Sequence, residues 1–333
     1  MIAPSLFEGK IDPAVLTEIG HEIAEVEAVL KIEIGSRIEL VSQVCGHTLG
    51  AGGKRLRPAL VTLAARATGL EFNADRAHRL GACMEMIHMA TLIHDDVIDG
   101  AGTRRGKPTA SAVYGNTAAI LSGDVLLAKA MAILARDGDL GIIRMVSEAV
   151  VELAEGEVAE LETRGKLDLT EEEHYRILRL KTASFIEACC RAGAKVASAP
   201  ESAEDALGSY GHHLGMTFQI VDDLLDYRGT HVATGKPRAT DFREGCPTLP
   251  LIALMPTLSA HEREWLQGAC GNATDGDVDR VNELMTERGA FACAERAADS
   301  SAHEARMALR ALPISPQREL LEAVTSFVRS RQA

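Results

Sequence analysis

The pattern Asp-Asp-x-x-Asp occurs twice, as Asp95-Asp96-Val-Ile-Asp99 and as Asp222-Asp223-Leu-Leu-Asp226. Each copy closes an apolar stretch. Ala90-Thr-Leu-Ile93 leads into the first, and Phe218, Ile220 and Val221 lead into the second, which also contains Leu224 and Leu225. On a helix the outer aspartates of the pattern, four residues apart, lie one turn above each other, and the middle one stands beside them. Three carboxylates so placed converge, repel and raise one another's pKa values unless a cation intervenes. A single acidic helix end is ordinarily just solvated. Six carboxylates embedded in apolar sequence are very costly to bury without cations, so the fold is expected to make both clusters metal sites. Hard carboxylates, with no Cys or His nearby except His94, favour Mg²⁺ or Mn²⁺ over Zn²⁺. Because Mg²⁺ takes a carboxylate or two plus phosphate oxygens, two acidic walls facing each other imply a phosphorylated ligand.

The rest of the chain sets the frame for those helices. No proline falls between Pro108 and Pro200, and apolar residues there recur at helical spacing, as in Val150, Leu153, Ala154, Val158 and Leu161. Asp12-Pro13 and Pro58 open helices, and Thr170 followed by Glu173 has the form of a capping box. Period-two runs of β-branched and aromatic residues are missing, as are hairpin dipeptides flanked by them. The reading is all-α, with about a dozen helices and an ordered loop region from Pro237 to Pro256. No linker composition or fixed-period repeat divides the chain, so residues 1–333 are expected to form a single domain. A formal charge of −13 argues against a nucleic-acid partner. Seven cysteines, an odd number without a CxxC pair, read as reduced thiols. No apolar run approaches the roughly 18 residues that would span a bilayer, and the N-terminal residues lack the form of a signal peptide. A soluble, cytoplasmic protein without a transmembrane segment is expected.

Basic residues alternate with the acidic motifs. Gly52-Gly53-Lys54-Arg55-Leu56-Arg57-Pro58 sets three cations beside flexible backbone at a helix start, where amide groups and the helix dipole also attract anions. Arg104-Arg105-Gly106-Lys107 follows the first acidic motif, and Lys181, Lys236 and Arg243 are further candidates. Any one of these is ordinarily a solvated surface charge. Two Arg-containing clusters beside glycine suggest two distinct diphosphate sites, one bridged by metal and the other gripped directly by Arg and Lys. The glycines do not make a P-loop, and no nucleophile elbow is present. His212-His213 reads as helix surface or a satisfied core pair.

The segments GGKRLRP, IHMATLIHDDVIDGAGTRRGKPT, KTASFIEACCRAGA, LGMTFQIVDDLLD, TGKPRATDF and TLPLI resemble those of the trans-isoprenyl diphosphate synthases, in register from about Leu40 to the C-terminus. The first 35 or so residues match weakly. The resemblance implies the isoprenoid synthase fold, packed helices around a deep central cavity, and a homodimer. It implies head-to-tail condensation of isopentenyl diphosphate with an allylic diphosphate such as farnesyl or geranyl diphosphate. By the same resemblance Asp95, Asp99 and Asp222 are Mg²⁺ ligands, supported by Asp96, Asp223 and Asp226. Lys54, Arg57, His88 and Arg105 match the isopentenyl diphosphate site. Arg104, Lys181, Thr182, Gln219 and Lys236 match positions that hold the allylic diphosphate. Departure of that diphosphate builds negative charge on it, which Mg²⁺ and the cations stabilise more in the transition state than before it. No protein nucleophile is needed.

Two departures from the resemblance stand out. Cys246 occupies a position that carries Lys in related sequences, and Glu160 stands where Gln is common. Chain length is expected to depend on Ala90 and Thr91, five and four residues before Asp95. Short-chain members carry a bulky aromatic near there, so small residues point to a long-chain product. The competing readings are a geranylgeranyl diphosphate synthase, a terpene cyclase using one DDxxD motif, and a non-catalytic subunit of a heteromeric synthase.

Overall fold

The computed structural model describes residues 13–228 and 238–331, and Lys236 lies outside them. The fold is all-α. Its helices are α1 (Pro13–Glu33), α2 (Glu39–Gly50), α3 (Leu56–Ala67), α4 (Ala74–Ile98), α5 (Ala110–Tyr114), α6 (Asn116–Asp137), α7 (Leu140–Thr163), α8 (Glu171–Leu178), α9 (Ser184–Val196), α10 (Glu201–Arg228), α11 (Thr240–Glu244), α12 (Leu249–Leu254), α13 (Ala260–Ala269), α14 (Asp275–Glu287), α15 (Ala290–Ala308) and α16 (Pro316–Arg329). Several starts follow the local chemistry expected of them. The Thr170 hydroxyl accepts from the Glu173 N–H while the Glu173 carboxylate accepts from the Thr170 N–H, which closes the capping box of α8. The region expected as loop from Pro237 holds α11 and α12 instead. Pro250 falls in the first turn of α12, where it removes no helical hydrogen bond.

Beside the helices, the described residues contain one short hairpin. Thr103–Arg104 pairs antiparallel with Lys107–Pro108, and the turn residues Arg105 and Gly106 both have positive φ, 54° and 73°. Two central residues at positive φ are what a tight two-residue turn demands. No alternating apolar run flanks the turn, and the ladder is two residues long, so nothing local marks it.

The chain divides into two compact units, one of residues 13–148, 188–208 and 309–323 and the other of residues 149–187, 209–228, 238–308 and 324–331. In the first unit α4 packs against α1, α3 and α6. Leu60, Leu63, Leu80, Met84 and Met86 are fully buried there, each contributing about 1.5–3 kcal/mol by leaving water. Against the expectation that no run has bilayer-spanning character, α6 is long and apolar enough for it by length and composition. Asp124 and Lys129 interrupt the run, which is why it does not read as continuous. Ala119, Ser122, Gly123, Leu126, Ala130, Ile133 and Leu134 form its buried face at helical spacing. The second unit is built on Ile220, Leu224, Tyr227, Phe242, Leu251, Leu266, Val281 and Met285, so the helix bearing the second acidic motif is itself part of a core.

Candidate active site

In the first unit α4 sets out the site along one stripe. Glu85, His88, Leu92, Asp95 and Asp99 follow each other at intervals of three and four residues, one face of a helix. Seven residues separate His88 from Asp95, about 10 Å of rise. At the upper end of the stripe Asp95 is half-buried and Asp99, the residue that ends the helix, is exposed. No basic residue stands in the last turn of α4. Carboxylates at a helix C-terminus face the negative end of its dipole, so an external cation is all the more favoured there.

Asp96 does not converge with its neighbours. It is buried and accepts from Arg104 Nε at 2.6 Å. Among the described residues no group of three His, Cys, Asp or Glu side chains is gathered closely enough to hold an ion unaided. The converging triad is therefore corrected to a pair, Asp95 and Asp99, plus an anchored middle aspartate. That donor set fits an ion of the Mg²⁺ type, which takes one or two protein carboxylates and completes its shell with water and phosphate.

The lower end of the stripe is cationic. Arg55 sits at the start of α3 in the left-handed conformation (φ 51°), buried, and donates to Glu85 at 2.9 Å, to Glu27 at 3.2 Å and to the Leu49 carbonyl at 3.0 Å. The hairpin is tied to the same place: Arg105 donates to the Gly52 carbonyl, and Lys107 to the Gly50 carbonyl at 2.7 Å. The two basic motifs, fifty residues apart in sequence, thus meet. Burial first, and then the guanidinium groups of Arg57, Arg105, Arg104 and Arg55, push the His88 pKa well down, which leaves a neutral imidazole able to donate from one nitrogen. Burial and neighbouring guanidinium groups also lower the proton affinity of Arg57 and Arg105. Such crowding of like charges is relieved by a bound anion. Lys54 is exposed at the rim.

In the second unit α10 carries the second motif. Gln219, Asp222 and Asp226 share a stripe, with Gln219 and Asp222 half-buried. Asp223 turns the other way and is buried, accepting from His174 Nε2 at 2.8 Å and from the Leu249 N–H at 3.2 Å. Asp226 accepts from the backbone N–H groups of Thr240 and Asp241, 3.0 Å each, and so caps α11 from outside. The Asp222 side chain is half-exposed. Arg331 reaches its carboxylate, donates to the Phe218 carbonyl at 3.4 Å and lies 4.2 Å over the Phe218 ring.

Lys181 and Thr182 lie on a single π-helical turn, Arg179–Ala183, and Thr182 is buried. Two glycines make room for that turn. A Cβ at Gly156 would come within 2.7 Å of the Lys181 backbone nitrogen, and one at Gly215 within 2.5 Å of the Ala183 Cα. Wide turns of this kind recur at functional sites. Lys181 is ion-paired to Glu157 at 3.2 Å and to Glu160. Cys246 is buried, its thiol pushed up to about 12 by burial and then by the charges of Glu160 and Asp241. Sequence reasoning missed His174, Glu85 and Arg331. Each is defined by a partner more than twenty residues away, and nothing local marks it.

Acidic helix ends and crowded cations on an all-α frame agree with the resemblance read from the sequence. Comparison with known proteins narrows this. Residues 38–287 match the family model described as polyprenyl synthetase. The chain is 35% identical over 317 residues to an all-trans-nonaprenyl-diphosphate synthase (geranyl-diphosphate specific) of Rhodobacter capsulatus, covering 95% of this chain and 97% of that one. It is 37% identical over 302 residues to octaprenyl diphosphate synthase of Escherichia coli, covering 90% and 93%. The crystal structure of a polyprenyl synthase from Caulobacter crescentus, complexed with calcium and isoprenyl diphosphate, superposes with a TM-score of 0.90 at 35% identity, covering 96% and 97%. The chain belongs to the polyprenyl synthetase family, whose members use a divalent metal, and it is a prenyltransferase.

Proposed function

We propose that this chain extends farnesyl or geranyl diphosphate with isopentenyl diphosphate, head to tail, into a long-chain all-trans polyprenyl diphosphate, using Mg²⁺ with Mn²⁺ as a substitute. The observation that carries the reading is the α4 stripe, which places a crowded cation site about two turns below a pair of carboxylates. Lys54, Arg57, Arg105 and neutral His88 hold isopentenyl diphosphate. Lys181, Thr182, Gln219, Arg104 and Lys236 hold the allylic diphosphate. Asp95 and Asp99 on the first unit and Asp222 on the second are Mg²⁺ ligands, and Asp96, Asp223 and Asp226 hold the motifs in place. When bound, the ion supplies positive charge to the departing diphosphate. Arg104, already fixed by Asp96, needs little reorganisation as that charge develops. Small side chains at Ala90 and Thr91, rather than aromatic ones, support a long product over geranylgeranyl length.

Two further parts of the reading rest on the surface and the thiols. The exposed apolar residues Val113, Ile120 and Leu121 on α5 and α6 support pairing of two copies through that face. Seven free thiols support a reducing, cytoplasmic location. A second reading, a non-catalytic subunit of a heteromeric synthase, is favoured by Cys246 alone.

The test is direct. The purified protein with Mg²⁺, farnesyl diphosphate and labelled isopentenyl diphosphate should give products beyond geranylgeranyl length by chromatography, and a chelator should abolish them. No incorporation by the protein alone would turn the assignment towards the subunit.

A further inference from the structure

Glu160 and Cys246 are departures that the reaction as described does not account for, and the structure brings them to the same place. Glu160 is ion-paired to Lys181, the cation read above as a ligand of the allylic diphosphate, and Cys246 lies in the field of Glu160. The Lys181 ammonium is ion-paired to Glu157 at 3.2 Å and to Glu160, with only 17% of its side chain exposed. Burial opposes its charge, but the two carboxylates outweigh burial and hold the proton more firmly than usual. The Cys246 thiol stays neutral at ordinary pH because burial, and then the charges of Glu160 and Asp241, push it up to about 12. Arg164 also lies in the field of that thiol. Among the described residues, the carboxylates of Glu157, Glu160, Asp241 and Glu244 outnumber Lys181 and Arg164 around this corner, and their field opposes an incoming anion.

An ammonium committed to two carboxylates attracts a diphosphate far less than an uncommitted one, because the carboxylates repel the anion across the same few ångströms. A divalent cation arriving first changes the sign of the local field and lets the lysine share its donors between carboxylate and phosphate oxygens. We infer that Glu160 clamps Lys181 and makes binding of a diphosphate at this lysine conditional on prior occupation by divalent metal. Glu160 is on this view a positioning residue that acts through Lys181 and touches no reacting atom. The inference rests on the reading of Lys181 as an allylic diphosphate ligand.

Calorimetric titration of inorganic pyrophosphate into the full chain, with chelator and then with saturating Mg²⁺, tests it. Glu160→Gln should bind pyrophosphate about ten-fold more tightly than the parent without metal, and the gap should close to within about three-fold once Mg²⁺ is present. Cys246→Lys, which adds a cation beside the same clamp, should shift metal-free binding the same way and guards against a folding defect in the first variant. The gain must vanish when Lys181→Ala is added, which separates this site from the arginine cluster on the first unit. Unchanged metal-free affinity in both variants overturns the proposal, as does a gain that survives Lys181→Ala or one that persists undiminished in Mg²⁺. A parent protein that condenses no isoprenoid would instead refute the functional reading, and the pyrophosphate titrations would still judge the clamp.

Discussion

At the scale of single residues, the two acidic motifs do different work from what their symmetry suggests. The outer aspartates of the first motif and the leading one of the second face outward, while Asp96 and Asp223 are buried and tied to Arg104 and His174. A buried carboxylate without such a donor would cost several kcal/mol, so the middle aspartate of each motif ties its helix end to the fold, and on the proposed function Asp95, Asp99 and Asp222 meet the ligand. Chain length belongs to this scale as well. Ala90 is fully buried, and Thr91, one turn below Asp95, donates its hydroxyl to the His88 carbonyl at 2.9 Å. Ala90→Tyr should shorten the product to about farnesyl length while turnover continues, because the ring fills the space a growing tail would enter. A shift of the core by the added bulk would cost about 1–3 kcal/mol. Product chromatography checks this, and an unchanged product distribution would remove Ala90 from the wall of the elongation path.

Elements explain why Lys181 sits where it does. The π turn 179–183 is a single irregularity between α8 and α9, accommodated by Gly156 on α7 and Gly215 on α10. Neither glycine is in a strained conformation; each is there because backbone passes too close for a side chain. Gly215→Ala would place its Cβ 2.5 Å from the Ala183 Cα, a backbone atom that cannot swing aside. The variant should lose about 1–3 kcal/mol of stability and raise the KM for the allylic diphosphate, since the turn must move with Lys181 on it. Denaturant midpoints and steady-state kinetics measure the two effects separately, and a variant that keeps both would show the turn to be tolerant. The hairpin 103–108 is the counterpart in the first unit. Its positive-φ turn aims Arg105 at the Gly52 carbonyl and so joins two basic motifs that the chain keeps apart.

For the molecule as a whole, α6 is the telling helix. Its inward face is a core of the first unit, yet Leu121 is 57% exposed and Ile120 41%. If two copies pair there, Leu121→Glu should convert a dimer to a monomer in sedimentation while leaving the helical signal in circular dichroism unchanged, because the inward face is untouched. A parent that sediments as a monomer would reject this surface. Much of the molecule was readable beforehand, for a common reason. Helix periods, capping residues and the i, i+4 spacing of the acidic pattern are local, and so they determined the all-α class, the helix ends that bear aspartate and the oxygen chemistry that suits a divalent ion. Choice of partner is not local. That Asp223 pairs with His174, Arg55 with Glu85 and Lys181 with Glu160 depended on packing that brings distant backbone together, and only the tertiary structure decided it.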